Sequence, residues 1–171
     1  MTPALASGKI ETYAIMSTYL ERSLISMTEA QYPVLVYGTL RPTCHNYNYI
    51  LQGRTISEQD ISLEGFTMYG RTGFPYITRG ENTITATLIY IKSDEYEDTM
   101  QRLDSLEGYH GEDYGRNHYD RILHEFTLGS EKRKAWIYIA GQSMTADVQA
   151  SLPVIEIGDW IKHVRERVVS W

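Results

Sequence analysis

Val34-Leu35-Val36-Tyr37-Gly38-Thr39-Leu40-Arg41 decides how this chain is read. The run Val34–Tyr37 is apolar and rich in β-branched residues, which makes a short buried strand, and Gly38 breaks it. Backbone N–H groups just beyond a strand end have no ladder partner. The Gly38-Thr39-Leu40 turn can therefore receive a carboxylate or a developing oxyanion. An ordinary strand-to-loop turn would read the same way, and Tyr37 serves equally as a hydroxyl donor to a pocket or as a core tyrosine.

The stretch that completes this reading lies further along: Leu103-Asp104-Ser105-Leu106-Glu107-Gly108-Tyr109. It ends a helix that the pattern opens at Ser93, a suitable N-cap, with Asp94, Glu95 and Glu97 in the first turn where the helix dipole favours negative charge. Gly108 is its stop. Tyr96, Met100 and Leu103 follow one another at +4 and +3, and the next +4 step lands on Glu107, so an apolar stripe ends on a carboxylate. A buried, unpaired carboxylate is costly and answers by raising its pKa, the property a general base needs near neutral pH. The competing reading is a last-turn glutamate that swings into solvent or pairs with an arginine.

The rest of the chain alternates strands with a few separated helices. Ser62–Tyr69 and Thr83–Ile91 carry the β-branched and aromatic residues of strands, with Gly70, Gly73, Pro75, Gly80 and Asn82 marking turns between them. Residues 41–48 read as a loop, and 49–51 as the end of a short helix. Tyr119–Leu128 and Lys134–Ala140 flank Gly129-Ser130-Glu131 as a hairpin, with Lys132-Arg133-Lys134 decorating its turn. Asp159 is placed to cap a helix bearing Trp160, Val164 and Val168. This order predicts an α+β fold, a small curved or closed sheet with helices packed outside. Residues 1–32 stand apart as an N-terminal extension, docked helix or artefactual addition, with Met16 and Met27 as alternative starts. The domain then occupies 33–171.

The composition narrows the function classes. At 171 residues the chain suits one domain able to bury a core. A net charge of −6 argues against a general nucleic-acid or membrane-surface binder. The apolar runs are too short for a membrane helix, and the start lacks a secretory pattern. The single cysteine, Cys44, excludes an internal disulfide and suits a reducing, cytoplasmic setting. Tyrosine is the outlier, with 14 copies against 3 phenylalanines, which suits sheet faces or a polar ligand pocket. Cys44 beside His45 does not make a nucleophile and base, because adjacent loop residues rarely aim at each other. His110, Glu112, Asp113 and His118 match no helical metal motif and read as a solvated loop.

Taken in order, Tyr37-Gly38-Thr39-Leu40-Arg41, Asn46, Phe74-Pro75, Leu103-Asp104-x-Leu106-Glu107-Gly108-Tyr109, Tyr119-x-Arg121, Ala135-Trp136-Ile137-Tyr138 and Gly158-Asp159-Trp160 form a recognisable series. It resembles the gamma-glutamylcyclotransferase-like superfamily, in particular its AIG2-like, gamma-glutamylamine cyclotransferase branch, from about residue 34 to 162. The resemblance implies a small mixed β-barrel flanked by helices, with a cavity at the end of the first strand. It implies Glu107 as the catalytic acid/base and Tyr37, Gly38, Thr39, Leu40 and Tyr119 as substrate-binding residues. The implied partner is a small γ-glutamyl compound that cyclises to 5-oxoproline, with no metal, nucleotide or other cofactor. γ-Glutamyl amines are expected to outperform glutathione, with the amine half lying near residues 109–118. Two departures stand out: Ile84-Thr85-Ala86-Thr87-Leu88 replaces the family's usual glycine-glutamate pair, and the 108–119 loop is long enough to act as a lid. The alternatives are a non-catalytic ligand- or protein-binding member of the fold, and a transferase acting on a γ-glutamylated metabolite.

Overall fold

The computed structural model describes residues 31–169. Strand β1 (Val34–Val36) lies at the centre of a mixed five-stranded sheet. It is antiparallel to β3 (Phe74–Ile91) and parallel to β5 (Glu131–Ala140), while β2 (Thr55–Arg71) and β4 (Tyr119–Leu128) form the outer strands. The unbroken apolar run has a simple cause. Val34 and Val36 join one buried cluster with Ile50, Met100, Leu103 and Val148; Leu35 and Tyr37 join another with Phe66, Met68, Ile77, Leu88 and Trp160. A central strand covered on both faces needs apolar residues at every position rather than at every second one.

The two strands expected at 62–69 and 83–91 are halves of a much longer hairpin. Gly80 and Asn82 do not reverse the chain: β3 runs straight through them. The pairing shifts there, Glu64 facing Thr83 while Phe66 faces Arg79, and such an irregularity bends a hairpin without ending it. The bend brings the two ends of β3 to different places. Thr87–Ile89 pair with β1, whereas Pro75 returns to lie against Gly38 beyond the end of that same strand. At the far side, the Phe66 ring meets His124 of β4 edge-on at 4.9 Å, and Arg79 Nη1 lies 3.1 Å from His124 Nδ1. The result is a strongly curled sheet, barrel-like through side chains, with no main-chain pairing between β2 and β4 among the described residues.

Helices cover one face of this sheet and its ends. Helix α1 (His45–Ile50) occupies residues read from sequence as loop, so the short helix expected at 49–51 begins earlier. A 3₁₀ turn (Ser93–Glu95) leads into α2 (Tyr96–Glu107), with Lys92 rather than Ser93 at the cap position. Gly108 closes α2 in the left-handed conformation, φ 62°, and the Tyr109 N–H then donates to Asp104 O at 2.9 Å. Helices α3 (Thr145–Ser151) and α4 (Trp160–Val169) follow β5. Asp159 caps α4 as expected, its Oδ1 accepting from the N–H groups of Ile161 (3.0 Å) and Lys162 (3.2 Å). The sequence-based reading of residues 1–32 falls, up to Ala30, outside the described residues.

Arg41 ties these elements together. Its buried guanidinium donates from Nε to Thr87 Oγ1 (3.1 Å), from Nη1 to Asp159 Oδ1 (3.0 Å) and from Nη2 to Asp60 Oδ2 (2.9 Å). The loop after β1 is thereby fastened to β2, β3 and the start of α4. A buried cation is tolerated because each face of the fork meets an acceptor.

Candidate active site

A cavity of about 280 Å³ opens where β1 ends. Tyr37, Gly38, Thr39 and Leu40 form one side, and Leu106 and Glu107 from the last turn of α2 form another. Phe74 and Pro75 from the start of β3, His118 and Tyr119 at the start of β4, Tyr138 of β5 and Asn46 of α1 complete it. All of Tyr37, Gly38, Thr39, Leu40, Glu107 and Tyr119, singled out from the sequence, are thus brought to one cavity.

The α2 stripe explains how Glu107 arrives there. Met100 and Leu103 are buried against the sheet, and the next residue on that face reaches the cavity wall. Among the described residues, no hydrogen bond or ion pair engages its carboxylate. Burial alone pushes the group up from 4.5 to about 7, with no neighbouring cation to offset it. The residue keeps partial access through the cavity while protein surrounds the carboxyl, so a bound substrate would deepen its desolvation.

The facing loop is built around close packing. A Cβ on Gly38 would stand 2.8 Å from Pro75 Cδ and Cγ, so glycine is required by the approach of the hairpin rather than by backbone conformation. The Arg41 N–H turns back to Gly38 O at 3.1 Å, and Asn46 Nδ2 donates to Thr39 Oγ1 at 2.9 Å, which holds the loop's shape. Among the described residues, the N–H groups of Gly38, Thr39 and Leu40 have no backbone acceptor. They line the cavity as a set of donors.

The tyrosine hydroxyls are wall fittings. Tyr37 donates to Tyr138 O (2.7 Å), Tyr119 to Pro75 O (2.9 Å) and Tyr138 to Asp104 Oδ1 (2.7 Å). Burial first, and then neighbouring negative groups, hold each hydroxyl far above the ordinary tyrosine range, so they remain protonated. Tyr37 accordingly presents its ring to the cavity, while its donor is spent on the main chain.

Arg121 also takes a definite place. Its Nη1 reaches both oxygens of Asp104 (3.1 and 2.9 Å), and its guanidinium lies between the rings of Tyr109 and Trp136, 5.0 and 4.9 Å from their centroids. Asp104 is one helical turn before Glu107, so this pair anchors the turn that carries the carboxylate. The β4–β5 register sets Arg121 opposite Tyr138, and both reach Asp104. Counting outward from the Gly129 turn would have found that partnership in the sequence.

His118 was read from sequence as part of a solvated loop. It instead lines the cavity, its Nε2 2.6 Å from the hydroxyl of Tyr76, and burial followed by the charge of Arg71 lowers its pKa. His110 packs edge-on to Tyr114 at 5.0 Å, away from His118's partners. Asn117 pins the 109–118 loop, accepting from His110 N–H and donating to Gly111 O at 2.8 Å each and to Asp120 Oδ1 at 3.0 Å. From this loop the cavity takes His118 and none of residues 109–117.

The family profile "Gamma-glutamyl cyclotransferase, AIG2-like" matches residues 34–162, from the first residue of β1 into α4. The chain belongs to this family. A cyclotransferase relative, the gamma-L-glutamyl-butirosin B gamma-glutamyl cyclotransferase of Niallia circulans, is 31% identical over 106 residues. That match spans 62% of this chain and 65% of the relative. An uncharacterized protein from Pyrococcus horikoshii superposes with a TM-score of 0.52 at 20% identity, covering 81% of this chain and 98% of its own. A protein from Arabidopsis thaliana gives 0.51 at 22% identity, covering 80% and 81%. At 20% and 22% identity these likenesses show a shared architecture alone.

Proposed function

We propose that the chain is a γ-glutamyl cyclotransferase that converts a γ-glutamyl amine or peptide into 5-oxoproline and a free amine, with Glu107 as acid/base. The observation that carries this reading is an unpaired carboxylate poised near pH 7 in the same cavity as the bare N–H groups of residues 38–40.

The substrate's own α-amine is the nucleophile and its γ-carbonyl carbon the electrophile. Glu107 accepts a proton from the α-ammonium, which frees the nitrogen lone pair for attack. A carbon–nitrogen bond forms, and charge developing on the carbonyl oxygen meets the N–H donors of the loop. Glu107 returns its proton to the departing nitrogen as the old carbon–nitrogen bond breaks. The second proton shed by the ammonium ends on the released amine through solvent. Because both reacting groups share one molecule, the cavity's main task is to hold the folded conformer. A role in binding alone would leave unexplained why a carboxylate is kept where its ionisation is costly.

Incubation with γ-glutamyl amines and dipeptides, with detection of 5-oxoproline, tests the reading. γ-Glutamyl amines, such as a γ-glutamyl group on a lysine side chain, are expected to exceed glutathione in kcat/KM. Glu107→Gln is expected to lower turnover by about 10²–10⁴-fold while binding of uncleaved substrate persists. Retained turnover in that variant would move the acid/base role elsewhere, with His118, which lines the same cavity, the first to test.

A further inference from the structure

The acid/base cycle of Glu107 leaves one polar side chain of the cavity wall without a task, that of His118. Its main chain is stitched to the turn that carries the carboxylate. The His118 N–H donates to Gly108 O at 3.2 Å, and its carbonyl accepts from the Gly141 N–H at 3.0 Å. A Cβ on Gly108 would stand 3.1 Å from His118 Cβ, so the two segments lie in close contact. The imidazole is boxed by rings, its centroid 5.4 Å from that of Tyr76, 5.1 Å from Tyr119 and 6.1 Å from Phe74. A side chain held in this way is already in place when a transition state forms.

A chain of hydrogen bonds fixes its proton. Arginine can only donate, and Arg71 hydrogen-bonds the hydroxyl of Tyr76. The Tyr76 hydrogen then points to His118 Nε2, 2.6 Å from the hydroxyl oxygen, and among the described residues this is the ring's one hydrogen bond. Nε2 is therefore the acceptor, and the proton of the neutral ring sits on Nδ1. Arg71 lies outside the cavity, in an adjoining recess that it shares with Trp160, His163 and Arg167 of α4. Among the described residues no carboxylate forms an ion pair with Arg71, so its charge is left to polarise the chain through Tyr76 to His118. Burial and that same charge keep the imidazole neutral. The arrangement also protects the base. A cation in the wall would pair with Glu107 and hold its carboxyl down, and among the described residues no arginine or lysine lines the cavity. A neutral N–H backed by a remote cation supplies donor strength without that penalty.

Resting on the cyclotransferase reading, we propose that His118 is a second catalytic residue, whose Nδ1–H donates to the γ-carbonyl oxygen as the substrate's own amine attacks. The ring gives up no proton. Its N–H bond to the oxygen tightens as negative charge gathers there, and relaxes when the old carbon–nitrogen bond breaks. It acts together with the N–H groups of residues 38–40, which line the same cavity. The tyrosine hydroxyls cannot take this part, because Tyr37, Tyr119 and Tyr138 spend theirs on Tyr138 O, Pro75 O and Asp104 Oδ1.

The test measures 5-oxoproline release from a γ-glutamyl group on a lysine side chain, using the full chain and its variants His118→Phe, His118→Asn and Tyr76→Phe. Folding is checked by thermal melts. Phenylalanine keeps a ring and removes the donor, whereas asparagine keeps an N–H near the position of Nδ1. His118→Phe is expected to lower kcat by about 10²–10³-fold, the loss that follows removal of one oxyanion donor. Affinity for uncleaved substrate, read by calorimetry in the Glu107→Gln background, should not change with it. His118→Asn should recover most of the lost kcat, and Tyr76→Phe should lower kcat by a smaller factor than His118→Phe. Nitrogen-15 NMR of the histidine-labelled native chain reads the tautomer without turnover, His118 being assigned by the signal that His118→Asn removes. A neutral ring protonated at Nδ1 is expected, with the two tautomers mixed in Tyr76→Phe. A proton on Nε2 in the native chain overturns the proposal, even where His118→Phe does not fold. So does a loss carried wholly by affinity, or an equal loss of kcat in His118→Phe and His118→Asn. Absence of 5-oxoproline from the native chain sinks the cyclotransferase reading and this role with it; product formation with kcat untouched in His118→Phe sinks this role alone.

Discussion

Glu107 illustrates how a single residue can trade stability for chemistry. Its pKa in the folded chain is raised to about 7 by burial, above the ordinary 4.5. Between those values the unfolded chain ionises first, so this residue favours folding fully only below 4.5, and the contribution is lost as pH rises through about 7. Glu107→Gln is therefore expected to match the native chain near pH 4 and exceed it by about 3 kcal/mol near pH 8, read from urea denaturation at both pH values. Activity should run the other way: kcat/KM of the native chain should rise with pH through about 7, because the base must be ionised to accept a proton. A flat profile across that range would detach Glu107 from the rate. Gly38 makes a second residue-scale prediction. Gly38→Ala would drive a Cβ into Pro75, at 2.8 Å in the present geometry, displacing the loop or the hairpin. A loss of about 1–3 kcal/mol is expected, with a rise in KM for every γ-glutamyl substrate alike. An effect confined to one amine would place the loop on the wrong half of the substrate.

Between elements, buried charge does the fastening. Arg41 joins the loop after β1 to Asp60 of β2, Thr87 of β3 and the cap of α4, so its removal leaves the buried Asp159 carboxylate with the N–H groups of α4 but without its cation. Arg41→Met is expected to destabilise the fold by about 3 kcal/mol, measured by chemical denaturation. Breaking a paired buried ion costs more than never having placed it. An unchanged midpoint would mean that Asp60 and Asp159 find solvent once the arginine is gone. The pair Asp104 and Arg121 acts on α2 in the same manner, fixing the helical turn from which Glu107 projects. Arg41's duty was not legible in the sequence, and Arg121's was legible only as far as its cross-strand partner, Tyr138. The residue types announce a cation, but only the register of the strands shows which carboxylate it meets.

At the scale of the molecule, the two buried clusters run, among the described residues, from Val34 to Trp160. A chain beginning at Met27 keeps all of those residues and is expected to retain a cooperative thermal transition within a few degrees of the full-length protein, an interval equivalent to about 1 kcal/mol. A larger loss would make the preceding residues part of the domain's core. The sequence by itself determined the buried strand at Val34, the stop at Gly108, the stripe ending on Glu107, the β4–β5 hairpin and the Asp159 cap. Each follows from local rules: side-chain periodicity, backbone freedom and unpaired N–H groups within a few residues of one another. It did not determine that Gly80 and Asn82 bend a strand rather than end it, because a bulge and a turn use the same residues and differ in what lies across the ladder. Nor did it place His118 in the cavity wall, since a histidine in a polar loop looks solvated until Tyr76, 42 positions away, is brought beside it. The gathering of Arg71, His163 and Arg167 along one groove was likewise decided by tertiary structure. Residues on a strand end and on a helix, far apart in sequence, line one recess only once the chain has folded.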